Sequence, residues 1–211
     1  KVQEKYGFTA TPDWLKHVML SSARIAGGCS ASFVSKNGLI MTNHHCAHSC
    51  IEQLSTPEKD YVASGFYAKN IENEVRCPEI EINRLVEISD VSPRIAKATE
   101  GLEGEAYNQA LKGAMATIEK ECASGSDLTR CDVVTLFHGG KYELYKYQRY
   151  QDVRLVFAPE MAIAFFGGDP DNFMFPRYDL DVSFLRVYEN GKPLDNKEYF
   201  VGMIEPRFRS W

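Results

Sequence analysis

No stretch of about 18 apolar residues occurs in this sequence, so nothing in it has the length and character of a membrane-spanning helix. No stripe of lysine and arginine occurs either. With 24 basic against 29 acidic residues the formal net charge is -5, which argues against nucleic acid as a partner. Internal repeats and low-complexity linkers are absent. The chain begins at Lys1 rather than Met and shows no signal peptide, so an upstream segment is expected to have been removed. What is present is ordinary globular material: 44% hydrophobic and 25% charged residues over 211 positions, enough for one large domain or two small ones with a sizeable core.

Six cysteines stand at positions 29, 46, 50, 77, 122 and 131. An even number is compatible with full pairing, and six allow 15 connectivities. Proximity along the chain favours Cys29–Cys46, Cys50–Cys77 and Cys122–Cys131, which would place the protein in an oxidising compartment such as a periplasm. The competing reading is six reduced cysteines in a cytosolic protein.

Residues 1–28 read as an N-terminal segment with a short helix. Thr11-Pro12-Asp13 supplies an N-cap and a proline at the first helical position, and Trp14, Leu15, Val18 and Met19 follow at helical spacing. Next comes a hairpin signal, Ala31 to Ser35, then Lys36-Asn37-Gly38, then Leu39 to Thr42, for which Asn-Gly predicts a type I′ turn. Residues 50–76 are mixed, with a short helix and loop, and residues 80–88 approximate strand alternation. Leu102, Ala106, Ala110, Met115 and Ile118 return to helical spacing among good helix formers, which predicts a helical insertion at about 100–122. Beyond it the pattern is β again: a hairpin from Val133 to Tyr150, strands at 152–157 and 181–188, and a tight turn at Asn190-Gly191. Short strands, tight turns and paired cysteines together predict a mainly β fold, a small antiparallel β-barrel over residues 29–200 with that helical insertion at one side.

His44, His45, Cys46, His48 and Cys50 crowd into seven residues. Three uses compete. The first is a general base: a strand that ends in Thr42-x-x-His45-Cys46, with the cysteine tied back to Cys29, holds the imidazole rigidly, as a base within reach of a hydroxyl must be held. The second is a metal site, since imidazole and thiolate suit zinc; against it, no second Cys/His pair of the usual spacing follows. The third is a set of polar loop histidines with no chemistry. A base histidine needs an orienting carboxylate. Asp181, opening an apolar strand, is the best candidate, and Asp179 is a weaker neighbour; the bland alternative is a solvated aspartate at a strand end.

Residues 165–177 interleave glycines, aspartates and prolines with four aromatics, which marks a shaped loop. Asn172 is placed to accept a hydrogen bond from a substrate amine and Phe173 to wall a subsite. The alternatives are a plain surface loop with buried aromatics, or calcium held by Asp169 and Asp171, although their spacing is not that of an EF-hand.

Gly27-Gly28-Cys29-Ser30-Ala31-Ser32-Phe33-Val34-Ser35, Gly38-Leu39 and Thr42-Asn43-His44-His45-Cys46 resemble the bacterial dipeptidyl-peptidase 7 and 11 family. The resemblance continues through Gly65 to Ala68 and Asp152 to Glu160. It is strongest at Phe166-Gly167-Gly168-Asp169-Pro170-Asp171-Asn172-Phe173 and Pro176-Arg177, and covers about residues 8–200. It implies a chymotrypsin-like double β-barrel with an added helical domain, of which this chain holds the first barrel. It further implies removal of dipeptides from free peptide N-termini in the periplasm or outside the cell, and a homodimer for the full-length enzyme. No cofactor and no metal are implied. The family's catalytic histidine falls on His45 and its aspartate on Asp181, and its residues for the substrate's amine fall on Asn172 and Phe173. Many members carry tryptophan where this chain has Phe173, which keeps the aromatic wall and loses an indole donor. The tripeptide Tyr178-Asp179-Leu180 before Asp181 also differs from other members.

The serine is missing. In the chymotrypsin order it follows the aspartate, in a glycine-rich turn that also donates the oxyanion-hole N–H groups. Nothing of that kind follows Asp181, and Ser124-Gly125-Ser126-Asp127 lies before it, between Cys122 and Cys131. Residues 201–211 also depart from the family. The expectation is therefore an N-terminal fragment, without the second barrel and inactive alone. The rival from another class is a non-catalytic secreted β-domain that binds peptide termini. That rival needs no contact between His45 and Asp181.

Overall fold

The structure, a computed structural model, describes residues 1–168, 172, 174–175 and 178–200. The expectations placed on Phe173, on Asp169 and Asp171, and on the tail 201–211 lie outside the described residues. The described residues divide into two compact units, 1–82 with those between 150 and 200, and 83–149. In chain order the strands are β1 (Ser22–Ile25), β2 (Ser30–Phe33), β3 (Leu39–Thr42), β4 (Phe66–Tyr67), β5 (Val75–Arg76), β6 (Ile82–Asp90), β7 (Thr129–Leu136), β8 (Lys141–Tyr150), β9 (Asp152–Ala158), β10 (Ser183–Glu189) and β11 (Lys192–Pro193). The helices are α1 (Val2–Tyr6), α2 (Pro12–Ser21), α3 (His44–Leu54), α4 (Tyr61–Ser64), α5 (Ser92–Thr99), α6 (Gly104–Ala123) and α7 (Met161–Ala164). No helix of the described residues is long and apolar enough to cross a membrane.

In the first unit the strands run in the order β4-β9-β10-β3-β2-β1, with β5 also on β9 and β11 on β10, and these pairs are antiparallel. Side chains alternate across the sheet with period two. Ala31 and Phe33 of β2, Ile40 of β3, Val153 and Leu155 of β9, and Leu185 and Val187 of β10 all point into one core. Several are fully buried, at 0% exposure for Phe33, Ile40, Leu155, Leu185 and Val187. Each such side chain contributes about 1.5–3 kcal/mol. Ala47, Cys50 and Ile51 bring one face of α3 onto the same core. α2 begins as its sequence predicts: Thr11 Oγ1 accepts from the Trp14 N–H at 3.2 Å, with Pro12 first in the helix.

In the second unit β6, β8 and β7 neighbour one another in that order, and β7 and β8 form an eight-pair hairpin from Thr129↔Gln148 to Leu136↔Lys141. Its core joins Val91, Ile95, Ile118, Val133 and Tyr142, with Leu111 and Met115 of α6 packed against it. A mainly β, antiparallel fold carrying several helices is thus what the sequence pattern and the structure share.

The three disulfides are those favoured by proximity: Cys29–Cys46, Cys50–Cys77 and Cys122–Cys131. The described chain has no free cysteine.

Two local expectations need correction. The β2–β3 connection is not a type I′ turn. Gly38 takes a positive φ of 71°, but Asn37 does not, and the loop runs from Val34 to Gly38. It closes through Val34 N–H to the Leu39 carbonyl at 2.8 Å, and through Ser35 Oγ, which accepts from the Asn37 and Leu39 N–H groups. At Asn190-Gly191, by contrast, both residues have positive φ, 50° and 74°. The reason for the glycine at 38 is proximity as well as backbone angle. A Cβ there would sit 2.9 Å from both Leu194 Cβ and the Val187 carbonyl oxygen. Gly38→Ala is therefore expected to lower the urea midpoint at unchanged m by an amount equivalent to about 2 kcal/mol or more. A variant within about 0.5 kcal/mol of the parent would refute this account of the turn.

The second correction concerns the histidine cluster and Asp181. The histidines do not end a strand. They form the first turns of α3, which follows β3 after the single residue Asn43. Asp181 does not open a strand either; β10 begins two residues later, at Ser183.

Candidate active site

The register of one strand pair assembles the site. β3 and β10 are antiparallel neighbours, with Thr42 opposite Ser183. The chain leaving β3 and the chain entering β10 therefore meet at the same sheet end. Asn43 and His45 lie just past one, and Asp181 just before the other. The Cys29–Cys46 bond adds a second constraint, tying the residue after His45 to the loop that links β1 and β2. A 17-residue separation of this kind is worth about 3 kcal/mol in chain entropy.

Asp181 receives four donors. His45 Nδ1 lies 2.7 Å from Oδ2, and the His45 backbone N–H donates to Oδ1 at 3.1 Å. Asn43 Nδ2 and Asn172 Nδ2 each donate to Oδ2 at 3.0 Å. Asn43 Nδ2 also reaches the Asp181 carbonyl oxygen at 3.2 Å. The carboxylate is 5% exposed, whereas the His45 side chain is 63% exposed. Burial by itself pushes the Asp181 carboxyl up. The hydrogen bonds from the His45 backbone, Asn172, the His45 ring and Asn43 together outweigh it and hold the group below the usual carboxylate range.

A carboxylate kept ionised on Nδ1 selects one tautomer of the imidazole. Nδ1 carries the proton, and Nε2 presents a lone pair on the exposed side. A buried anion, a fixed tautomer and an accessible Nε2 are what a general base needs. Of the sequence candidates, the structure brings His45, Asp181 and Asn172 together. Asn172 does so through its amide nitrogen, which leaves Oδ1 as its acceptor.

Asn43 stands in the sequence motif with no role of its own. It occupies the N-cap of α3 but makes no side-chain cap bond; its amide is turned to Asp181 instead. The signal in the sequence is thin. An asparagine before a helix reads as a cap, and only the cross-strand register shows it facing a carboxylate.

The metal alternative changes as well. Cys29, His45 and Cys46 offer atoms within 4.8 Å of one another, but both sulfurs are joined to each other, so neither is a thiolate ligand. His44 is buried at 2% exposure. Its imidazole lies below the usual range, through burial first and then through the neighbouring His48. Two hollows flank the Asp181 contact. One of about 270 Å³ is bounded by Ser30, Ser32, Met41, Thr42 and Asp181. The other, of about 110 Å³, is bounded by the three α3 histidines, Met161, Phe165 and Asn172. Phe165, Phe166, Met174, Phe175 and Tyr178 lie exposed in the preceding loop.

A family model described as Peptidase S46 matches residues 1–203. The chain is 36% identical over 208 residues to Dipeptidyl-peptidase 7 of Porphyromonas endodontalis, covering 93% of this chain and 25% of that protein. It is 34% identical over 171 residues to the Asp/Glu-specific dipeptidyl-peptidase of Capnocytophaga gingivalis, covering 80% and 24%. Among solved structures it is similar to Porphyromonas endodontalis DPP11 in complex with substrate, with a TM-score of 0.70 and 30% identity over 86% of this chain and 28% of that one. The same protein in complex with the dipeptide Arg-Glu gives 0.70 and 28%, over 94% and 29%. The chain thus spans about a quarter of the length of the curated relatives it matches. The fold class expected from the resemblance, the chymotrypsin-like first barrel with helices added, agrees with this likeness.

Proposed function

This chain belongs to the peptidase S46 family, and from that membership we propose that it is the N-terminal part of a serine-type dipeptidyl peptidase, releasing dipeptides from free peptide N-termini. The observation that carries the reading is the 2.7 Å contact between His45 Nδ1 and a buried Asp181 that collects three further donors. A non-catalytic peptide-binding domain has no use for that arrangement behind an exposed imidazole.

In this reading a serine supplied by the remainder of the enzyme attacks the carbonyl of the second residue of the peptide. His45 Nε2 takes the hydroxyl proton and returns it to the leaving amine. Water then hydrolyses the acyl-enzyme by the same route. Asp181 stays ionised throughout, keeps the proton on Nδ1 and stabilises the imidazolium. Asn172 Oδ1 accepts from the substrate's α-ammonium, and Phe173 packs beside that end. The 211 residues alone lack the nucleophile and are inactive. The three disulfides support a periplasmic or secreted location, and the complete enzyme is a homodimer.

The test compares this chain with a protein extended to the length of its relatives. The extended protein is expected to release dipeptides from peptides with a free N-terminus, to ignore N-acetylated ones, and to lose activity with His45→Ala. The 211-residue chain is expected to show no turnover. Equal cleavage of blocked peptides would sink the dipeptidyl reading. Turnover by the short chain that vanishes with His45→Ala would sink the claim that it is incomplete.

A further inference from the structure

Two histidines of α3 stand beside His45 and take no part in the contact with Asp181. His44 is 2% exposed. Its ring lies near the backbone of Pro159, while its Nε2 is buried without a partner. One turn later stands His48. Its Nε2 lies 3.2 Å from Glu52 Oε1, and its Nδ1 is buried without a partner. The two ring centroids are 5.9 Å apart, and both rings border the same hollow of about 110 Å³.

Buried nitrogen atoms left unpaired are rare and costly. Here two occur together, on residues four apart and so on one helix face. The other nitrogen of His48 lies on the Glu52 carboxylate, which is how metal-ligating histidines are held. We propose that His44 Nε2 and His48 Nδ1 form a binding site for a divalent transition-metal ion of the zinc type, completed by solvent from the hollow. The donors are imidazole nitrogens, so calcium and magnesium, which take oxygen ligands, are excluded. The disulfide-bonded Cys29 and Cys46 contribute nothing, and His45 stays on Asp181.

The experiment titrates zinc sulfate into the oxidised 211-residue chain by calorimetry, with cobalt(II) absorption as a second reading. One ion per chain is expected, bound in the micromolar range, with no heat from calcium. His48→Ala and His44→Gln should each weaken binding roughly tenfold or more, while His17→Ala leaves it unchanged. Zinc should raise the melting temperature of the parent and not of the His48→Ala chain, whose fold is checked by circular dichroism. Absence of binding, as a water bridging the two rings would give, overturns the proposal. So does binding that His48→Ala leaves intact, or that His17→Ala removes. The readout is metal binding and not turnover, so failure here leaves the peptidase reading standing.

Discussion

Asp181→Asn in the complete enzyme is expected to lower kcat by about four orders of magnitude, with KM within a few-fold of the parent. That is about 5.5 kcal/mol of transition-state stabilisation. The size follows from the donors around the carboxylate. Each bond now donated to Asp181 requires an acceptor. An asparagine must present an NH₂ somewhere among the His45 N–H, the His45 ring, Asn43 and Asn172. Where it faces the ring, it donates to Nδ1 and drives the imidazole proton to Nε2, so the base loses the lone pair that accepts the serine proton. The Cys29–Cys46 bond and the β3–β10 register keep the backbone in place, so the loss falls on chemistry rather than on substrate binding. A drop smaller than tenfold, with the fold intact, would remove Asp181 from the mechanism.

The same substitution has a pH signature. The native carboxyl is held below its ordinary value by hydrogen bonds that outweigh burial, and the unfolded value is about 3.9. A depressed native pKa adds stability that is fully present above the unfolded pKa and is lost as pH falls through the lowered native one. Stability of the parent should therefore fall more steeply in acid than that of Asp181→Asn. Denaturant midpoints taken from neutral pH downward measure this; identical acid limbs would mean the donors do not stabilise the charge.

Glu74→Ala is expected to destabilise the folded chain by about 3–5 kcal/mol, read from denaturant unfolding. The Glu74 side chain is 2% exposed and faces Arg186, whose side chain is 10% exposed. Arg186 Nε lies 2.9 and 3.1 Å from the two Glu74 oxygens, and its Nη1 donates to the Asn37 carbonyl at 3.0 Å. The Tyr188 hydroxyl donates to the same carboxylate at 2.7 Å. Burial first, and then Glu74, push that phenol up to about 12, so it remains a donor at any ordinary pH. Arg186 and Tyr188 lie in β10, Glu74 just before β5, and Asn37 in the β2–β3 loop. One carboxylate thus joins three parts of the first unit. Removing it leaves a buried guanidinium with the Asn37 carbonyl alone and a buried phenol with only the Ile71 carbonyl at 3.5 Å. The control is Glu74→Met with Arg186→Met: the double variant should be less destabilised than Glu74→Ala, because neither charge is stranded. A loss below about 1 kcal/mol for Glu74→Ala would show that water replaces the carboxylate readily.

The sequence by itself determined the class of fold, because that information is local. Alternation in Ala31–Phe33 and Asp152–Phe157, helical spacing from Leu102 to Ile118, and the Thr11-Pro12 start of α2 each follow from neighbouring residues. The cysteine pairing was also legible, since every bridge joins cysteines adjacent in the cysteine order. His45, Asp181 and Asn172 could be named from motif resemblance. Only the tertiary structure decided that they touch. Asp181 lies 136 residues from His45, and a one-residue slip of β10 against β3 would turn the neighbouring side chains to the opposite face of the sheet. The same non-local pairing turned Asn43 from a cap into a donor for Asp181 and joined Glu74 to Arg186 across 112 residues. Packing of Ala47, Cys50 and Ile51 against the core makes the crowded histidine segment a helix, where its sequence offered a strand end or a polar loop.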